Sequence, residues 1–290
     1  SYWNELGLAR NPALYHYAYI PGSFLWPATL YSVFGEFDLR ILFTLALIIG
    51  LLLWLFSIPN KEVGITAILL FLILIRLGGF LLGVNDMLVI GLCLIIVWLM
   101  WKNHDFAAAI LWGITASLKQ TVWPVLVFVL IWAYLNKKIN PYAIAPIIVA
   151  VTIIPFVLWN PAAYVDDTIL YFSGNTANAY PINPAGGGIP MILEWLHFSK
   201  EQINQFPYFL LQLLFTLPIF GFLVKKFKSN PKLENIFIYS GILLLAFTLV
   251  YQNFHFNYLN FAFSLILLGF ILLFNSQRNK INLGQPNTEE

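Results

Sequence analysis

The chain has 290 residues, of which 60% are hydrophobic and 10% charged, with a mean hydropathy of +0.79. Soluble domains average roughly 45–50% apolar and about 25% charged residues, so these figures exclude a soluble globular domain and point to a polytopic membrane protein. The net charge of +2 comes from short basic clusters at the ends of apolar runs and builds no surface for nucleic acid. Cys93 is the one cysteine, which excludes an internal disulfide.

The first residues are polar and aromatic, without an initial Met or a visible signal peptide, so the chain is expected to be an N-terminally trimmed piece. The stretch Pro21 to Phe34 is too short to cross a bilayer and contains Pro21, Gly22 and Pro27, which predicts an interfacial helix ending an outer segment, 1–37. A crossing needs about 20 apolar residues. Candidate spans are 38–58, 63–82, 85–101, 141–159, 206–224, 234–253 and 257–275. The segment 106–136 reads as two shorter stretches, 106–117 and 121–136, meeting at Lys119-Gln120, with Pro124 where the first turn of a new helix tolerates it. The prediction is all-α, one transmembrane domain over 1–280 with about nine membrane helices, a large outer loop at 160–205 and a polar tail at 281–290. The loop mixes aromatics with turn residues, which predicts a structured segment on the membrane surface.

Basic residues in short connections mark the cytoplasmic side. Lys61, Lys102, Lys137-Lys138, the cluster Lys225 to Lys232, and Arg278 with Lys280 share one side if 63–101 and 106–136 are both hairpins. Arg40 is the exception, offset by Asp38 and Glu36. This scheme puts Asp86, Lys119, the loop 160–205 and the turn Asn253-Phe254-His255-Phe256-Asn257 together at the outer face.

Each polar candidate admits two readings. Asp86, in Gly83-Val84-Asn85-Asp86, either caps the helix it begins or faces a polar site, since a carboxylate in lipid-compatible chain is costly unless paired or hydrated. Lys119 either snorkels to the interface or meets a phosphate as a compact point charge. Asp166 and Asp167 are a solvated pair or helix start, or else bind a divalent metal or act as a base. His255, beside Asn257 and Tyr258, is an interfacial imidazole or a phosphate-binding and proton-shuttling group. Gly186-Gly187-Gly188 is no nucleotide loop, because no strand precedes it and no Gly-Lys-Ser/Thr follows. No cluster has zinc-ligand spacing.

In chain order these residues resemble the GT-C superfamily of integral-membrane glycosyltransferases, nearest to the mannosyltransferase and aminoarabinose-transferase types. Tyr17-Ala18-Tyr19-Ile20-Pro21 is similar to the family's Tyr/Lys-Pro-Pro-Leu signature. Phe34-Gly35-Glu36-Phe37-Asp38-Leu39-Arg40 is similar to its Phe-Gly…Arg entry to the second span. Gly83-Val84-Asn85-Asp86 resembles its outer-loop acid, and Gly113 to Gln120 its Gly-x-x-x-x-x-Lys-Pro/Gln element. Ile20-Pro21-Gly22 departs from the double Pro. The resemblance implies a polyprenyl-phosphate-linked sugar as donor, a glycan, lipid or protein hydroxyl as acceptor, and a site on the extracytoplasmic face of a cell membrane. It implies Asp86 as a supporting acid, with Lys119, His255, Tyr19, Asp166, Asp167 and Tyr258 against substrate. The family's catalytic carboxylate lies upstream of the Pro motif and has no equivalent in this sequence. No cofactor is implied beyond the donor and a possible divalent metal. The competing expectation is a transporter, or a flippase or polymerase for lipid-linked glycans, since broken helices and intramembrane charges also suit a substrate path.

Overall fold

With no water in hydrocarbon, each backbone N–H and C=O must find its partner within its own segment, so long apolar runs become helices. The computed structural model describes residues 19–36, 38–58, 61–75, 86–171, 182, 187–252 and 256–282, and no strand occurs among them. A 13-residue helix α1 (Gly22–Phe34) is followed by α2 (Leu39–Ser57), α3 (Lys61–Ile75), α4 (Asp86–Trp101) and α5 (Asp105–Leu118). A short 3-10 turn (Gln120–Val122) leads into α6 (Trp123–Leu135), then α7 (Ile139–Tyr142) and α8 (Ile144–Trp159). The expected outer loop is itself helical where described, with α9 (Pro161–Val165), α10 (Gly188–Trp195) and α11 (Lys200–Asn204). The last three helices are α12 (Tyr208–Ser229), α13 (Leu233–Leu249) and α14 (Phe256–Asn282). α14 thus runs past the expected end of its span and into the start of the tail at 281; residues 283–290 lie outside the described residues.

Local signals account for several boundaries. Asp38 caps α2 by accepting from Arg40 N at 2.9 Å, and its carboxylate also takes the Arg40 guanidinium at 2.8 to 2.9 Å, so the one basic residue at odds with the positive clusters is paired. Asn160 caps α9 at Ala163 N, with Pro161 in the first turn. Ser199 and Gln202 form a reciprocal capping box on α11.

Four segments are long and apolar enough to cross a membrane: Leu39–Ser57, Ile139–Trp159, Tyr208–Ser229 and Asn257–Ser276. This is a membrane protein built from helices. Four other expected spans are shorter apolar helices, Asp86–Trp101, Asp105–Leu118, Gln120–Leu135 and Leu233–Leu249. At a rise of 1.5 Å per residue, 14 to 17 residues extend about 21–26 Å, against a hydrocarbon core of about 30 Å. Those with both ends described, α5, α6 and α13, therefore stop short at one end, and polar contacts fix which end.

At the basic end the helices meet in register. The Trp98 indole donates to Ser57 Oγ at 2.7 Å, and Trp54 stacks on Trp101 with centroids 5.7 Å apart. Lys138 Nζ lies 3.0 Å from Asp105 Oδ2, and Asn136 Nδ2 donates to the Pro231 carbonyl at 3.3 Å. Lys102, Lys137, Lys138 and Lys232 stand around these contacts, so several basic clusters do share one end. The shortfall is at the opposite end, where α5 ends, α6 begins and α13 ends.

Close backbone approach holds the bundle. Gly91 of α4 packs on α2 so tightly that an added Cβ would fall 2.6 Å from Leu47 N and 2.7 Å from Ala46 C. Small residues at such crossings let helices gain the van der Waals contact that drives association in lipid, where no hydrophobic force separates helix from tail. The core lies among α2, α4, α5, α6, α13 and α14, with Trp112, Phe128 and Phe237 fully enclosed.

Candidate functional site

The polar end of the bundle is assembled by helix breaks. Continued helix through Pro124 would lose a backbone hydrogen bond and bring the ring onto the carbonyl four residues earlier, at about 3 kcal/mol. The chain avoids this by leaving α5 at Lys119, which is extended (φ −153°, ψ 132°), and restarting through the 3-10 turn. The end of α5 leaves carbonyls without intrahelical partners, and the Trp123 indole donates to one of them, Ala116 O, at 2.9 Å. Ser117 Oγ accepts the Trp26 indole of α1 at 2.7 Å. The start of α1 rests on the same turn: a Cβ on Gly22 would fall 2.1 Å from Ser117 O. Gly22 is the residue type that this seat admits.

Held this way, the Lys119 ammonium donates to Asp86 Oδ1 as a buried ion pair. Asp86 is the first described residue of α4, and its second oxygen accepts from Asn257 Nδ2, near the described start of α14, at 2.8 Å. Lys119 Nζ also lies 5.7 Å from the centroid of the Tyr258 ring, within the range of a cation–π contact. Tyr258 in turn meets Tyr251 edge-on at 6.0 Å. The two charged residues are 6% and 5% exposed. Three chain segments remote in sequence therefore close on one neutral, hydrogen-bonded cluster.

The two readings of each charge are now separable. Lys119 is buried and paired, so it does not snorkel. Both Asp86 oxygens are held by groups from other segments, Lys119 and Asn257. Asp166 and Asp167 are not a helix start, because Asn160 and Pro161 begin that helix and the two acids occupy the wider helical turn (Asp166–Leu170) that follows it. No hydrogen bond or ion pair among the described residues joins Asp166, Asp167 or Tyr19 to the Asp86–Lys119 pair. Tyr19 is 42% exposed beside the fully buried Ile20 at the start of α1. His255 lies outside the described residues, as do Asn85 and the preceding Gly83-Val84. Among the described residues no three His, Cys, Asp or Glu side chains converge as metal ligands.

Sequence reasoning missed Asn257, Ser117 and Trp26. Asn257 carried a signal, since it closes the turn Asn253 to Asn257 that the basic clusters place level with Asp86. Trp26 and Ser117 carried none, because a Trp near a span end reads first as an interfacial anchor.

Chemically, the cluster offers an ammonium whose charge is balanced and a carboxylate with no oxygen left over. A carboxylate so engaged orients its neighbours. Compared with known protein families, known proteins and solved structures, the chain shows no match.

Proposed function

We propose that this chain is a membrane glycosyltransferase of the GT-C type, transferring a hexose such as mannose, or a pentose, from a polyprenyl phosphate to an acceptor hydroxyl on the extracytoplasmic side. The observation that carries the reading is the buried Asp86–Lys119–Asn257 cluster at the end where the short helices α5, α6 and α13 stop. It lies about 5–9 Å inside the surface that the longer helices reach. Such a recess lets a prenyl tail stay among apolar helices while its phosphate meets Lys119. A transporter needs its polar groups near the bilayer midplane between half-helices, and this cluster sits at helix termini at one end.

In the proposed reaction the acceptor oxygen loses its proton to a general base and forms a bond to the anomeric carbon. The bond from that carbon to the phosphate oxygen breaks, with inversion, and its electron pair leaves with the polyprenyl phosphate. Lys119 stabilises the charge that grows on the leaving oxygen, the type of preorganised electrostatic help that contributes most in a water-poor site. Asp86 holds Lys119 in place and is a positioning residue. The base is not assigned to Asp86, whose oxygens are both engaged.

The test is a vesicle assay with polyprenyl-phosphate [14C]mannose and the full-length protein. Acceptor-dependent release of polyprenyl phosphate is expected. Movement of the intact labelled lipid between leaflets, without release, would overturn the enzyme reading in favour of a flippase.

A further inference from the structure

The Asp86–Lys119 cluster supplies charge for a phosphate but leaves the sugar unaccounted for. One face of α12 holds a second set of polar groups. Tyr208, Gln212 and Thr216 recur at i, i+4 and i+8, so they stand in one row. The row continues into Phe220, Leu223 and Phe227, which pack into the core, so it is the inward face of the helix. Tyr208 Oη, Gln212 Nε2 and Thr216 Oγ1 are all buried without a hydrogen-bond partner, and so is Thr121 Oγ1 in the turn just after Lys119.

Helix register brings these groups to the level of the cluster. Phe128 of α6 touches Phe220 and Phe227 of α12, with ring centroids 6.1 and 5.5 Å apart. Both helices run from the polar end to the basic end. Lys119 lies roughly nine residues, about 14 Å, above Phe128, and the same distance up α12 from between Phe220 and Phe227 reaches the Gln212–Thr216 stretch. Tyr208 stands roughly 10 Å farther out, where Leu193 of α10 and Ile203 of α11 cover it. The row therefore descends from the helices of the outer loop to the level of Lys119.

Buried polar groups in native proteins are nearly always satisfied, and each exception calls for an explanation. Of the seven such side-chain atoms among the described residues, these four stand at or beyond the level of Lys119, none charged, and call for a neutral ligand. Two threonine hydroxyls and a phenol both donate and accept, and the Gln amide donates. That set complements hydroxyl groups, which both donate and accept, and lacks the positive charge that would favour a phosphate there. We propose that Thr121, Tyr208, Gln212 and Thr216 form a subsite for a polyhydroxylated, uncharged group, the sugar of the lipid-linked donor, beside a phosphate held at Lys119. The proposal rests on the glycosyltransferase reading and adds to it which residues read the sugar.

The experiment measures binding of two lipids, polyprenyl phosphate and polyprenyl-phosphate mannose, to the full-length protein in nanodiscs. Wild type is expected to bind the mannosylated lipid more tightly. Gln212→Leu should weaken that binding about tenfold, the loss of one well-made buried hydrogen bond, and leave polyprenyl phosphate unchanged; Thr216→Val gives the same reading if Gln212→Leu does not fold. Variants that bind both lipids as wild type does, or that weaken both equally, overturn the subsite and leave the glycosyltransferase reading standing. A wild-type protein that binds neither lipid overturns that reading, and the subsite with it.

Discussion

Removing one partner of the Asp86–Lys119 pair tests the site's physical logic. Lys119→Met keeps the volume of the side-chain stem but leaves the Asp86 carboxylate, 6% exposed, with Asn257 as its donor among the described residues. Breaking a buried pair in this way costs about 3–5 kcal/mol, because a charge remains without compensation. At roughly 2–4 °C per kcal/mol for a chain of this size, Tm should fall about 10 °C. Asp86→Asn should cost less, since the ammonium keeps the Tyr258 face at 5.7 Å, a contact contributing about 0.5–2 kcal/mol when desolvated. The double variant removes both charges and should lie within about 1–2 kcal/mol of wild type, because replacing a buried pair with neutral groups of like volume is often close to neutral. The coupling energy from the cycle is then about 2–4 kcal/mol. Thermal unfolding of detergent-purified protein, followed by size-exclusion fluorescence, supplies the three numbers. A double variant destabilised by the sum of the single effects would refute the reasoning.

Three further outcomes follow from other contacts. Trp26→Phe keeps the ring and removes the indole donor to Ser117 Oγ, a loss of about 1 kcal/mol and a few degrees in the same unfolding assay; an unchanged Tm would mean that α1 does not brace the Lys119 turn. Gly91→Val drives a side chain into the α2 backbone, which an added Cβ would meet at 2.6 Å, and overpacking of about 1–3 kcal/mol or more should show as loss of folded yield; wild-type yield and Tm would contradict the close α2–α4 crossing. The Arg40 guanidinium holds the Asp38 carboxyl below its ordinary 3.8, so this pair stabilises the folded chain above that pH and ceases to as pH falls through and below it. Both groups are solvated, so the Tm gap between wild type and the Asp38→Asn variant should be small and constant from pH 8 to 5 and should close as pH falls below 3.8; a gap that changes between pH 8 and 5 would contradict the assignment.

How much of this was legible beforehand depends on range. Helix positions were, since hydropathy and length determine them: 38–58 became Leu39–Ser57, and the break at Lys119-Gln120 fell where Pro124 required it. Asp86 and Lys119 could be placed level with one another, because basic clusters orient whole segments. Their direct pairing could not be read, since it depends on how α4 and α5 rotate about their axes, which packing at residues such as Gly91 decides. Nor could the recess. The two stretches of 106–136 read as short in the sequence, but the end at which they fall short emerged only from the alignment of the basic end, which pushes the shortfall to the other end. Asp166 and Asp167 misled for a local reason: a pair of acids before Thr168 imitates a helix start, but Asn160-Pro161 had already begun the helix five residues earlier.

The most direct measurement of the central claim is sugar transfer by full-length wild type and Lys119→Met, with polyprenyl-phosphate [14C]mannose as donor. The account predicts that wild type releases polyprenyl phosphate and that Lys119→Met lowers kcat about 100-fold or more, the loss expected when a donor to a developing negative charge is removed. Release by Lys119→Met at the wild-type rate would contradict it.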